Sequence, residues 1–118
     1  MAFNTDLKGK IAEFYAIFIL ICKGYKIINV RYKTSFGEID IIARKKIEII
    51  FVEVKYRKTL IAALDTIDSK KIHRMNNTAL IYLQKHNKYN NMDFRFDAFM
   101  IYNLFYFKHY KNFQITSC

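Results

Sequence analysis

Three residues near the middle of this chain, Asp40, Glu53 and Lys55, have types and spacing that could support attack on a phosphate ester. Two converging carboxylates can hold Mg²⁺, a hard ion that takes one or two carboxylates together with phosphate oxygens and waters. Such an ion neutralises developing charge and acidifies a water, while a nearby ammonium orients the nucleophile or stabilises the transition state. The triplet acid-x-Lys says little alone, because it occurs three times: Asp6-Leu7-Lys8, Glu53-Val54-Lys55 and Asp68-Ser69-Lys70. Only the middle one lies in a segment that is otherwise apolar on both faces. A solvated ion pair at a strand end is the alternative for Glu53 and Lys55, since such pairs are common and weak. Against it stands the cost of gathering charges beside a buried strand, which usually marks a site.

Other chemistries find no support. The three glycines, Gly9, Gly24 and Gly37, are too scattered for a phosphate-cradling loop. His73, His86 and His109 do not have zinc-site spacing, and no cysteine pair joins them. No Ser or Cys stands in a nucleophile-elbow context.

Positioning the three residues falls to the strands that carry them. Residues 38–44 and 47–56 read as consecutive strands joined at Lys45-Lys46, and a strand over 26–33 precedes them. Side chains two apart share a strand face, so Glu53 and Lys55 project together. Pairing about that turn puts Asp40 nearly opposite Val52, one residue from Glu53. The strand over 47–56 is apolar on both faces, which belongs in the middle of a covered sheet.

Upstream, residues 7–23 repeat apolar side chains at helical spacing, with Ile11, Phe14, Tyr15, Phe18, Ile21 and Cys22 as the expected buried stripe and Gly24 as the cap. Further apolar residues fill much of the remaining circumference, predicting a helix covered on most sides. A second helix is expected over 69–86, capped by Asp68 or Ser69, with Ile72, Met75, Ala79, Tyr82 and Leu83 buried. Strands follow over 94–101 and 104–107. The order α-β-β-β-α-β-β predicts an α/β fold, a mixed sheet of about five strands flanked by helices.

The chain has 118 residues, which suits one domain over 1–118, and its 53% hydrophobic content argues against disorder. Its longest apolar run, Phe14 to Cys22, is about half of the roughly 20 residues a membrane span requires. The N-terminus does not read as a signal peptide, and two cysteines do not make a disulfide framework; a cytoplasmic protein is expected. A net charge of +10 invites a polyanionic partner. Yet Lys outnumbers Arg 15 to 5 while Ile, Asn, Tyr and Phe abound, so A/T-rich codons could supply some of that charge.

The stretch GEIDIIARKKIEIIFVEVKYRKT, with Gly9 and Glu13 before it and Arg95-Phe96-Asp97 after it, resembles the YraN-type family of small bacterial proteins. That family is similar to Holliday-junction resolvases and other PD-(D/E)xK nucleases with the restriction-endonuclease-like fold. The likeness runs from about Gly9 to Phe113, and GEID with FVEVK-x-R at this separation is far more specific than acid-x-Lys. The resemblance implies Asp40 and Glu53 as ligands of Mg²⁺ or Mn²⁺, Lys55 as the catalytic lysine, and Glu13 as a further catalytic, metal-linked carboxylate. Glu38 shares the strand face of Asp40 but fits the turn better. Arg95 and Asp97 suit a structural role. Arg57, Lys70, Lys71 and Arg74 are the candidate nucleic-acid contacts, the last three forming a phosphate track if their helix face borders the acidic cluster.

Three functions follow as expectations. The first is an endonuclease acting on DNA rather than RNA, on branched or recombining DNA in particular, for which a homodimer would suit cutting of two strands. The second is a nucleic-acid-binding module that keeps the fold without significant turnover. The third is an interaction protein whose basic surface reflects codon bias.

Overall fold

The computed structural model describes residues 5–113. Helix α1 (Thr5–Cys22) is followed by strands β1 (Lys26–Thr34), β2 (Gly37–Lys45) and β3 (Glu48–Arg57). Helices α2 (Leu60–Leu64) and α3 (Ser69–Lys85) lead through a 3₁₀ turn at Asn87–Tyr89 to β4 (Asp93–Tyr102) and β5 (Tyr106–Tyr110). The strands form one mixed sheet in the order β1-β2-β3-β4-β5, antiparallel except for the parallel pair β3–β4. A parallel pair needs a long crossover, and α2 and α3 supply it.

β3 is the central strand, and its residues Ile49 to Val54 are all buried because both faces are covered. On one face Ala12, Ala16 and Leu20 of α1 pack with Ile41, Ala43, Ile50, Val52 and Phe99. On the other, Ala79 and Tyr82 of α3 pack with Ile42, Ile49 and Phe51, while Ala63 and Ile67 from the α2 segment cover Ala98 and Met100.

The expected α-β-β-β-α-β-β order holds, with the short α2 added. Thr59 caps α2 by accepting a bond from the Ala62 N–H at 3.1 Å. Asp68 caps α3 in the same way, from Lys71 N–H at 2.8 Å.

Three expectations are corrected. The β2–β3 turn lies at Lys46-Ile47, with Lys46 at φ 55 and Ile47 exposed rather than on a strand face. The last strand starts two residues late, because Asn103 and Leu104 take left-handed φ values of 47 and 73 and form the turn. The buried side of α1 is also different. Ala12 and Ala16 face the sheet, where small side chains allow close approach, and Ile11, Phe14, Phe18 and Ile21 face outward at 55%, 72%, 67% and 55% exposure.

Candidate active site

The site begins where β2 and β3 part. Their ladder runs from Lys45↔Glu48 to Ile41↔Val52 and ends there, although β2 continues to Gly37 beside β1. Ile41 packs on the α1 side of the sheet but Ile39 on the α3 side, so the strand turns over at Asp40. The Asp40 carboxylate consequently points across toward β3, where Oδ2 accepts the Val54 N–H at 2.8 Å. That bond satisfies a donor the ladder has abandoned. On β1 the same level is occupied by Arg31, between Val30 and Tyr32, at φ 56. A non-glycine residue there is strained, and such strain concentrates at functional sites.

Glu53 stands on the α3 side of β3, 2% exposed. Its Oε1 lies 3.1 Å from Lys71 Nζ and 3.4 Å from Lys55 Nζ. Its Oε2 is buried with no hydrogen-bond partner among the described residues. A buried acceptor left unpaired costs about 1–3 kcal/mol, more when charged, so a fold that keeps one usually has a use for it.

Burial, then the neighbouring charge of Glu53, pushes the Asp40 carboxyl up to about 8; the Val54 bond and Lys55 oppose the shift without cancelling it. Burial and Glu53 thus both favour the protonated acid over the carboxylate when no cation is near. For Lys71, burial favours the neutral amine, but the charge and hydrogen bond of Glu53 outweigh it and hold the ammonium.

Glu13 projects from α1, where Arg31 Nε donates to its Oε1 at 2.7 Å. Its charge is felt at Asp40. Glu38 is half-buried near the β1–β2 turn. Among the described residues no three His, Cys, Asp or Glu side chains are gathered closely enough to form a complete metal-ligand set. A cation at this site would rest on Asp40 and Glu53, within the one or two carboxylates Mg²⁺ needs, and the free Glu53 Oε2 fits that purpose.

Of the expected nucleic-acid contacts, Lys71 turns inward to Glu53, whereas Arg57, Lys70 and Arg74 are exposed. Arg57 Nη1 bonds only the neighbouring Tyr56 carbonyl, at 2.7 Å. Arg74 lies against the start of β2, where a Cβ on Gly37 would come 3.3 Å from the Arg74 Cβ. The basic face of α3 thus borders the GEID end of the site. The decoy triplet at Asp68 is a helix cap, and the Asp6 side chain lies outside the described residues. The role of Arg31 is not legible in the sequence: an arginine within an ordinary strand pattern gives no sign that it will bend out to clamp Glu13.

Asp97 belongs to a separate network on the α1 side. Fully buried, it accepts from Arg95 Nε at 2.9 Å, Asn112 N–H at 2.9 Å and His109 Nε2 at 2.7 Å. Arg95 also reaches Glu48 and the Tyr25 hydroxyl, each at 2.8 Å. These bonds tie β4 to β3, β5 and the end of the α1–β1 turn, a structural role.

The model of the uncharacterised protein family UPF0102 matches residues 12–101. A UPF0102 protein of Nitrobacter winogradskyi is 42% identical over 100 residues, covering 85% of this chain and 82% of its own. Another from Fusobacterium nucleatum is 43% identical over 97 residues, covering 80% and 81%. A third, from Mesorhizobium japonicum, is 39% identical over 90 residues, covering 76% and 72%. The matched span holds every residue of the site, from Glu13 to Arg74.

Proposed function

This chain belongs to the UPF0102 family, the YraN-type family its motifs resemble, and we propose that it is a divalent-metal-dependent endonuclease hydrolysing phosphodiester bonds of DNA. The observation that carries this reading is the unpaired, buried Glu53 Oε2 beside a carboxyl whose protonated form burial favours. Mg²⁺ or Mn²⁺ bound at Asp40 and Glu53 would neutralise phosphate charge and lower the pKa of a water.

The chain's own groups divide the remaining work. Asp40, its Oδ2 held by the Val54 N–H, would be one carboxylate holding the cation, which would take the place of its proton. Lys55, one-quarter exposed, can swing from Glu53 to face the attacked phosphate and stabilise its developing charge. Lys71 holds Glu53 Oε1 and leaves Oε2 free. Glu13, pinned by Arg31, adds negative charge nearby that favours a cation over a proton-free empty site. Lys70, Arg74 and Arg57 are exposed, and we infer that they meet the phosphates of bound DNA. Among the described residues no helix is long and apolar enough to cross a membrane, and the exposed free thiol of Cys22 suits the reducing cytoplasm.

One observation favours a second reading, a nucleic-acid-binding module without turnover. Glu53 Oε1 already has two ammonium partners and Glu13 already has Arg31, so much of the acidic charge is neutralised within the protein. A panel of duplex, branched, flap and single-stranded DNA, with RNA counterparts, incubated with Mg²⁺ or Mn²⁺ decides. The proposal expects cleavage that EDTA and Asp40→Asn both abolish. Binding to the panel with no cleavage under either metal would leave the second reading standing.

A further inference from the structure

The outward face of α1 is an apolar stripe, and the described residues do not cover it. Ile11, Phe14, Phe18 and Ile21 lie diametrically opposite Ala12, Ala16 and Leu20, the side that packs on the sheet. Lys10 borders the stripe beside Phe14, and Lys8 lines the cleft at its Ile11 end. The stripe continues onto the β4–β5 turn, because Ile11, Leu104 and Phe105 line that one cleft of about 370 Å³. Leu104 is 66% exposed and Phe105 74%. Leu104 presents its side chain from a φ of 73, a conformation that glycine would adopt without strain.

The extent is unusual for a surface that stays in water. If each side chain offers roughly 150–250 Å² when fully open, these six expose on the order of 700 Å² of mainly apolar surface. Monomers rarely show a patch above about 300–600 Å², whereas one side of a standard interface is about 800 Å².

The order of the side chains identifies the occupant. Read from either end of the helix, the stripe is Ile, Phe, Phe, Ile, at steps of three, four and three residues. A two-fold interface requires that residue i meet j while j meets i. Two such helices packed antiparallel, with the axis passing at the level of Ala16, set Phe14 against Phe18 and Ile11 against Ile21, twice over. We propose that a second copy of this chain covers this face, forming a two-fold homodimer through antiparallel α1 helices with the β4–β5 turns at its rim. The proposal is independent of the nuclease reading.

Sedimentation equilibrium of the full chain tests it. The expected result is a dimer at micromolar concentration that Phe14→Glu and Phe18→Glu each weaken at least 100-fold, with circular dichroism and melting behaviour of an intact fold. Geometry is tested separately on a Cys22→Ser, Cys118→Ser background carrying Ile11→Cys or Ile21→Cys. Mild oxidation should cross-link an equimolar mixture of the two proteins efficiently and neither protein alone, since like positions sit far apart in an antiparallel pair. A parent that stays monomeric at tens of micromolar, as it would if another protein or the chain's own termini covered the face, overturns the proposal. So does a dimer indifferent to both glutamates, or a cross-link formed by either cysteine protein alone.

Discussion

Asp40 Oδ2 accepts the main-chain N–H of Val54 at 2.8 Å, and so occupies the place a β2 carbonyl would hold had the ladder continued. The carboxylate is thus a structural member of the sheet as well as a candidate ligand. Its burial and the adjacent Glu53 charge raise its pKa from 3.8 to about 8.

That shift has a sign in stability. Between the unfolded and folded values the native state binds the extra proton, so Asp40's contribution to the metal-free protein is fully present below the ordinary carboxylate range and is lost as pH rises toward about 8. Denaturant unfolding in EDTA from pH 5 to 9 should show this decline, and Asp40→Asn should flatten it. Equal slopes in the two proteins would mean that Asp40 is ionised throughout.

Cleavage should depend on the site and not on its sequence decoy. With Mg²⁺ or Mn²⁺, Asp40→Ala, Glu53→Ala and Lys55→Ala should each reduce the rate by orders of magnitude. Asp68→Ala should leave the rate nearly unchanged while costing about 1 kcal/mol of stability through the lost cap of α3. Single-turnover rates on folded variants make the comparison, and a matching loss at Asp68 would remove the special status of Glu53.

Salt dependence separates Lys71 from its neighbours. Lys70 and Arg74 are free to meet phosphates, so replacing both by Gln should flatten the slope of log K against log salt by about 1.8, at roughly 0.9 per contact. Lys71 bonds Glu53 at 3.1 Å, and Lys71→Gln should change that slope less while altering metal response. Fluorescence anisotropy across salt concentrations checks both. If Lys71→Gln alone lowers the slope by a full contact, its ammonium leaves Glu53 for DNA.

Apolar alternation makes the strands that carry Asp40, Glu53 and Lys55 legible, and Asp68 announces the start of α3. Less visible is the turnover of β2 between Ile39 and Ile41, because a period-two pattern assumes a regular strand and cannot foresee Arg31 at φ 56. The orientation of α1 is hidden for another reason. The helix is apolar nearly all round, and two competing stripes are separated only by the need for small residues, Ala12 and Ala16, against the sheet. α2 has five residues, too few to establish a period, though Thr59 marks its start. His109 and Asp97 stand twelve positions apart, and only the β4–β5 pairing brings them together.

Asp97 should govern the acid limb. Burial alone would raise its pKa, but the bonds from His109, Arg95 and Asn112 N–H outweigh that and hold it below the ordinary value. Its contribution is therefore present above the unfolded carboxylate range and disappears as pH falls through the folded value, opposite in sign to Asp40. Asp97→Asn should destabilise the protein at neutral pH, because it removes the buried anion that Arg95 and His109 share and leaves Arg95 with Glu48 alone. Chemical denaturation at pH 3 and 7 checks this, and a small, pH-independent loss would show the network to be dispensable.

Thermal unfolding with and without metal distinguishes a cation site from an internal salt-bridge cluster, without any substrate. At pH 7 in EDTA, burial and Glu53 favour the protonated form of Asp40, and asparagine is a near replica of the neutral acid that can still accept the Val54 N–H. Asp40→Asn should accordingly be close to neutral there and stabilising at pH 9, where the parent must hold Asp40 and Glu53 charged together. Glu53→Gln should instead destabilise at both pH values, since Lys55 and Lys71 lose their anion. Millimolar Mg²⁺ or Mn²⁺ should raise the parent's Tm, more at pH 8 than at pH 6 because the cation displaces the Asp40 proton, and should leave both variants unmoved. If Asp40→Asn destabilises the metal-free protein at every pH and keeps the parent's metal response, Asp40 is an ion-pair partner and the cation site lies elsewhere.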